Sequence, residues 1–108
     1  MKTAILGAGA TGGFYGGLLA RAGVDVTFIA RGKQVDMIRS KGIRVESVDF
    51  GNFTIKPVAA TDDPRTVGPV DLVLVCVKSY ALDDALTSIK ALVGPNTLVV
   101  PILNGIDA

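Results

Sequence analysis

Six consecutive residues, Gly7-Ala8-Gly9-Ala10-Thr11-Gly12, place glycines at the first, third and sixth positions. That spacing is a weak signal by itself. It gains force when a strand runs into it and a helix leaves it, because each glycine then has a separate task. Gly7 permits the tight turn, Gly9 lets the backbone approach a pyrophosphate, and Gly12 allows close packing of helix on strand. The helix start adds unpaired N–H groups and the positive end of the helix dipole, a setting that attracts phosphate. All six residues, Gly7, Ala8, Gly9, Ala10, Thr11 and Gly12, are candidates for contact with a dinucleotide.

The second discriminating position lies about 20 residues further on, where an NAD-selective site places Asp or Glu to hold the ribose 2′-hydroxyl. This chain offers Ala30-Arg31 there, and no carboxylate stands between Asp25 and Asp36. A guanidinium presents planar paired donors that suit a phosphate, so Arg31 is expected to grip the 2′-phosphate of NADP(H), with Lys33 as a helper. The missing carboxylate also counts against a flavin dinucleotide. Two further polar residues stand where central strands should end: Lys78, after Leu72-Val73-Leu74-Val75-Cys76-Val77, and Asn104. Position alone leaves them open, since a lysine after a buried strand can be the first solvated residue and Asn104-Gly105 is an ordinary turn pair.

These residues need elements to hold them. Thr3 to Leu6 reads as a short buried strand. Phe14, Leu18, Leu19 and Ala22 follow at helical spacing, Gly23 is a C-cap, and Val24 to Ala30 is a second β-rich run, which together make a βαβ unit. Lys33 to Lys41 reads as a short helix stopped by Gly42. Ile43 to Val48 and Phe53 to Val58 suggest a hairpin across Asp49-Phe50-Gly51-Asn52. Loops at Asp62-Asp63-Pro64 and Gly68-Pro69 precede Asp71 to Val77, which is apolar on both faces and therefore central. Leu82, Ala85, Leu86, Ile89, Leu92 and Val93 form one helical stripe, with Ser79 near its start and Gly94-Pro95 as its stop. Thr97 to Leu103 is the last strand. Alternating strands and helices predict an α/β fold, a Rossmann-type doubly wound, mostly parallel sheet with helices on both faces, over residues 1–108.

Composition removes other chemistries. Eleven Lys and Arg against ten Asp and Glu give a net charge of +1, which provides no basic excess for nucleic acid or an anionic membrane surface. The chain has no histidine and one cysteine, so neither a transition-metal site nor Ser-His or Cys-His catalysis has its ligands or base. Cys76, inside an apolar run, reads as a buried structural thiol. Apolar residues make up 49% of the chain, as buried strands covered on both faces require. The start of the chain passes directly into a strand, no run reaches the roughly 20 residues of a membrane span, and a reducing cytoplasmic setting is expected.

Gly7 to Gly12, Arg31, the segment Val75-Cys76-Val77-Lys78-Ser79-Tyr80 and the segment Pro101-Ile102-Leu103-Asn104-Gly105, in this order, resemble the ketopantoate reductases (2-dehydropantoate 2-reductases) across the whole chain. The lysine after the fourth strand and the Asn-Gly after the fifth are more specific than the glycine loop. The resemblance implies that Lys78 lies near the nicotinamide end of the cofactor and that Asn104 contacts both cofactor and substrate. The reaction implied is NADPH-dependent reduction of 2-dehydropantoate, a small 2-oxo acid, to pantoate in pantothenate synthesis.

Family members are much longer, with a helical C-terminal domain that supplies the lysine taken as general acid. The expectation is therefore a cofactor-binding part with no catalytic residue of its own, in which Tyr15 and Tyr80 pack against neighbours. A part cut off there would expose an apolar sheet edge or face, so self-association as a dimer is expected. Two other readings use the same loop and the same Arg31: a non-catalytic NADP(H)-binding module, and a reductase of another 2-oxo acid or of a 3-hydroxy acid. Lys78 and Asn104 favour an enzyme over the module.

Overall fold

The computed structural model describes residues 1–7, 10–56, 59–76 and 82–102, with the backbone alone for residues 10 and 82–84. Five strands form one parallel sheet in the order β5-β2-β1-β6-β7: β1 (Lys2–Leu6), β2 (Asp25–Ile29), β5 (Ala59–Thr61), β6 (Leu72–Val75) and β7 (Leu98–Pro101). The chain moves outward from β1 through β2 to β5, then returns to the other side of β1 for β6 and β7. The order therefore reverses between β1 and β6, the switch point at which open α/β sheets hold ligands.

Successive strand residues point to opposite faces. Ile5, Phe28 and Leu74 join a cluster under α1 (Ala10–Arg21), α2 (Lys33–Lys41) and the antiparallel hairpin β3 (Ile43–Val45) and β4 (Phe53–Ile55). Ala4, Leu6, Ile29, Val73 and Val75 join the other cluster, closed by Ala85 and Leu92 of α3 (Leu82–Leu92). Helices thus cover both faces, and burying a side chain such as Phe28 in full is worth roughly 1.5–3 kcal/mol.

The helix α1 is seated differently from its expected pattern. Phe14, Leu18 and Leu19 are only half-buried and Ala22 is exposed, whereas Gly12, Gly13, Gly16 and Gly17 form the buried face. A Cβ on Gly16 would meet the Phe28 ring, 2.6 Å from Cε1, and one on Gly17 would meet the Val45 side chain. The glycines let the helix lie close to both sheets, and that contact offsets the ~1 kcal/mol each costs within a helix. The helix ends in a Schellman motif, Val24 N–H donating to Leu19 O (3.0 Å) and Gly23 N–H to Ala20 O (3.0 Å), with Gly23 at φ 92°.

The hairpin forms as expected, but its second strand ends at Ile55 and Ala59–Thr61 departs to become β5, a strand the sequence pattern did not reveal. Leu86 on α3 (50% exposed) and Val93 just beyond its end (40% exposed) face outward, so only part of the expected stripe is covered. Thr97 ties the end of α3 to β6: its hydroxyl donates to Val70 O (2.5 Å) and accepts from Gly94 N–H (2.8 Å). Leu103, expected in the last strand, and Ser79, expected near the start of α3, lie outside the described residues.

Candidate functional site

Backbone hydrogen bonds continue past the strand ends and align their carboxyl termini in one rim. Gly7 N–H donates to Ile29 O (3.2 Å), Cys76 N–H to Leu6 O (2.8 Å), Ala30 N–H to Thr61 O (3.0 Å) and Ile102 N–H to Val75 O (2.8 Å). The residues that end β1, β2, β5, β6 and β7 are therefore held side by side. Gly7, Arg31 and Cys76 belong to this rim, and the segments 77–81 and 103–108 follow directly from it in sequence.

At the end of β1, Gly7 takes φ 92°, a region that glycine enters without penalty. A Cβ on Gly12 would fall inside the Gly7 carbonyl, 2.9 Å from Gly7 C and 3.3 Å from Ile5 Cγ2. The cradle thus admits glycine alone at position 12, and it sets the first turn of α1, with Thr11 half-buried, directly over the strand end. The leading N–H groups of a helix lack partners within it, and such a helix start suits a phosphate. Ala8 and Gly9 lie outside the described residues, and Ala10 is described by its backbone alone.

Arg31 follows β2 by two residues. Its carbonyl accepts from Gln34 N–H (3.1 Å), and Gly32, at φ 54°, turns the chain into α2, so the arginine is fixed at the corner between strand and helix. It lines a cavity of about 630 Å³ between this corner, the 3-10 turn η1 (Pro64–Thr66) and the outer part of α3. That is within the size range of small-molecule sites. Arg65 and Lys90 bring two more cations to it, Asp63 brings a carboxylate, Thr87 and Ser88 are present from α3, and Pro64 and Ala91 add apolar surface. Lys33, expected to help Arg31, is not among the lining residues; it starts α2 as an exposed side chain.

Asp63 and Arg65 form a tight unit. Arg65 Nε donates to Asp63 Oδ1 (3.0 Å) and Nη2 to Oδ2 (3.3 Å), while Arg65 N–H also donates to Oδ1 (3.0 Å). The Arg65 side chain and backbone hold the Asp63 carboxyl below its ordinary range, and the carboxylate raises the Arg65 guanidinium. Nothing in the sequence singled out Asp63, Arg65 or Lys90, because only the fold brings a loop after β5 and the end of α3 to the Arg31 corner.

Cys76 is half-buried at the end of β6, less enclosed than its apolar run predicts, and burial pushes its thiol up to about 11. Tyr15 packs its ring edge-on against Phe14 of the same helix, at 5.3 Å between centroids, and is otherwise exposed. Lys78 and Asn104, expected near the nicotinamide end, and Tyr80, expected to pack against its neighbours, lie outside the described residues.

Among the described residues, no helix is long and apolar enough to cross a membrane. Comparison with known proteins bears on the same arrangement. The chain is 43% identical to the 2-dehydropantoate 2-reductase of Pyrococcus horikoshii over 106 residues, 98% of this chain and 34% of that protein. It superposes on the crystal structure of 2-dehydropantoate 2-reductase from Geobacter metallireducens with a TM-score of 0.89 and 39% identity, covering 97% of this chain and 34% of that one. A ternary structure of D-mandelate dehydrogenase with NADH and anilino(oxo)acetate is also similar, with a TM-score of 0.82, 28% identity, and 97% and 34% coverage. The chain thus spans about a third of the length of the relatives it matches. Residues 3–108 match the family described as ketopantoate reductase PanE/ApbA, and the chain belongs to that family.

Proposed function

We propose that this chain is the NADP(H)-binding part of an enzyme that reduces 2-dehydropantoate to pantoate. The observation that carries this reading is the pairing of a glycine-only cradle at the end of β1 with Arg31, in place of a carboxylate, at the end of β2. The cradle seats the start of α1 against the end of β1, where a helix start suits a pyrophosphate, and the guanidinium suits the 2′-phosphate that separates NADP(H) from NAD(H). Lys78 and Asn104 are proposed to meet the nicotinamide end, with Asn104 also on the substrate.

When bound, the reduced nicotinamide supplies hydride to the ketone of the 2-oxo acid. The alkoxide that results needs a proton, and a positioned acid typically contributes ~10²–10⁴-fold. No residue of this chain is assigned that task, which is proposed for a C-terminal domain of the complete enzyme. The chain alone is then expected to bind NADPH without turnover, while the complete enzyme oxidises NADPH when 2-dehydropantoate is added. Pantoate formed by the chain alone would overturn the division of labour. Preference of the complete enzyme for another 2-oxo acid would favour the second reading, to which the likeness to D-mandelate dehydrogenase lends support.

Self-association is proposed through β7. Among the described residues no strand pairs with its outer edge, and Leu98 is 62% exposed there. An unpaired apolar edge recruits a second one. Light scattering should find dimers or larger species of the chain at high concentration, and a clean monomer would contradict this.

A further inference from the structure

The cavity beside Arg31 contains a carboxylate where an NADP(H) site should repel one. Asp63 is tethered on both backbone and side chain. Its N–H donates to Thr61 Oγ1 (3.1 Å), its carbonyl accepts from Thr66 Oγ1 (2.8 Å), and its carboxylate caps η1 through Arg65 N–H. Thr61 in turn accepts from Ala30 N–H, the residue before Arg31. The fold therefore puts a negative charge in the same cavity as Arg31, the position proposed for the 2′-phosphate, and a near-dianionic group there would meet like-charge repulsion.

Arg65 answers that charge. Its guanidinium engages both carboxylate oxygens in the planar fork that matches a carboxylate. The Asp63–Arg65 unit is then neutral, and Arg31 and Lys90 line the same cavity. Resting on the cofactor reading above, we propose that Arg65 is a specificity-determining residue: by masking Asp63 it keeps the carboxylate from repelling the 2′-phosphate at Arg31, and so sets the preference for NADP(H) over NAD(H). NADH, with a hydroxyl at the 2′ position, does not carry the charge that Asp63 would repel, so the effect is confined to the phosphorylated cofactor.

The test measures the dissociation constants of NADPH and NADH for the full-length protein by calorimetry at low salt, with Arg65→Gln, Asp63→Asn and the double variant. Arg65→Gln should weaken NADPH by about threefold to tenfold and leave NADH within about twofold, since it exposes one partly screened charge. Asp63→Asn in the same chain should return NADPH affinity close to the starting value, and the loss in Arg65→Gln should shrink as salt is raised. Three results would overturn the proposal: no change in Arg65→Gln, an equal loss for both nucleotides, or a double variant as weak as Arg65→Gln, which would mean that Arg65 holds the phosphate directly. NADPH binding that depends on Arg31 but not on Arg65 would remove this inference alone, whereas a wild-type protein that binds neither nucleotide would remove the cofactor reading and this inference together.

Discussion

Gly12 lies so close to the Gly7 carbonyl that the smallest side chain would occupy the space of the oxygen. The contact is made by backbone on both sides, so neither partner can move without displacing β1 or α1. Gly12→Ala should therefore lower stability by about 2–3 kcal/mol or more, at the upper end of what overpacking costs, and abolish dinucleotide binding. Urea unfolding with an unchanged m-value and a lower midpoint would show the first effect. An alanine variant of wild-type stability would mean that the cradle is not as tight as described.

Gly16 is also seated against a neighbour, but that neighbour is the side chain of Phe28 and not backbone. Gly16→Ala should be destabilising by about 1–3 kcal/mol, and much of that loss should be recovered when Phe28 is shortened in the same chain, since the clash disappears. The check is a double-mutant cycle of Gly16→Ala with Phe28→Leu. Strictly additive losses would place the clash elsewhere.

The raised Cys76 thiol has a chemical readout. At pH 8 a thiol held at about 11 carries about a hundredfold less thiolate than one at the ordinary value of 9.0, and alkylation requires the thiolate. Iodoacetamide should label the folded chain at least that much more slowly than the urea-unfolded chain, and the rate should climb with pH until about 11. Equal rates in folded and unfolded chains would contradict the burial of the sulfur.

Much of this arrangement is legible in the sequence because it depends on local rules. The glycine spacing, Gly23 as a C-cap, α2 between Lys33 and Lys41, and the hairpin all follow from residues near one another in the chain. What escapes such reading depends on distant neighbours. The buried face of α1 is made of glycines, so a search for apolar spacing selects Phe14, Leu18 and Leu19 instead. Ala59-Ala60-Thr61 is too short and too weakly β-forming to announce β5, which exists because β2 offers it a parallel edge. Asp63, Arg65 and Lys90 read as solvated charges until the fold places them around the same cavity as Arg31.

Arg31 is the residue on which the choice of cofactor turns. Titration of the purified chain with NADPH and with NADH by calorimetry, repeated for Arg31→Ala, separates a phosphate-reading arginine from a solvated one. The expected result is NADPH binding at micromolar or tighter affinity that weakens by ~1.5–3 kcal/mol in Arg31→Ala, as for hydrogen bonds to a charged group, with NADH changed little. NADPH binding indifferent to the loss of Arg31, in a variant shown by circular dichroism to be folded, would contradict it.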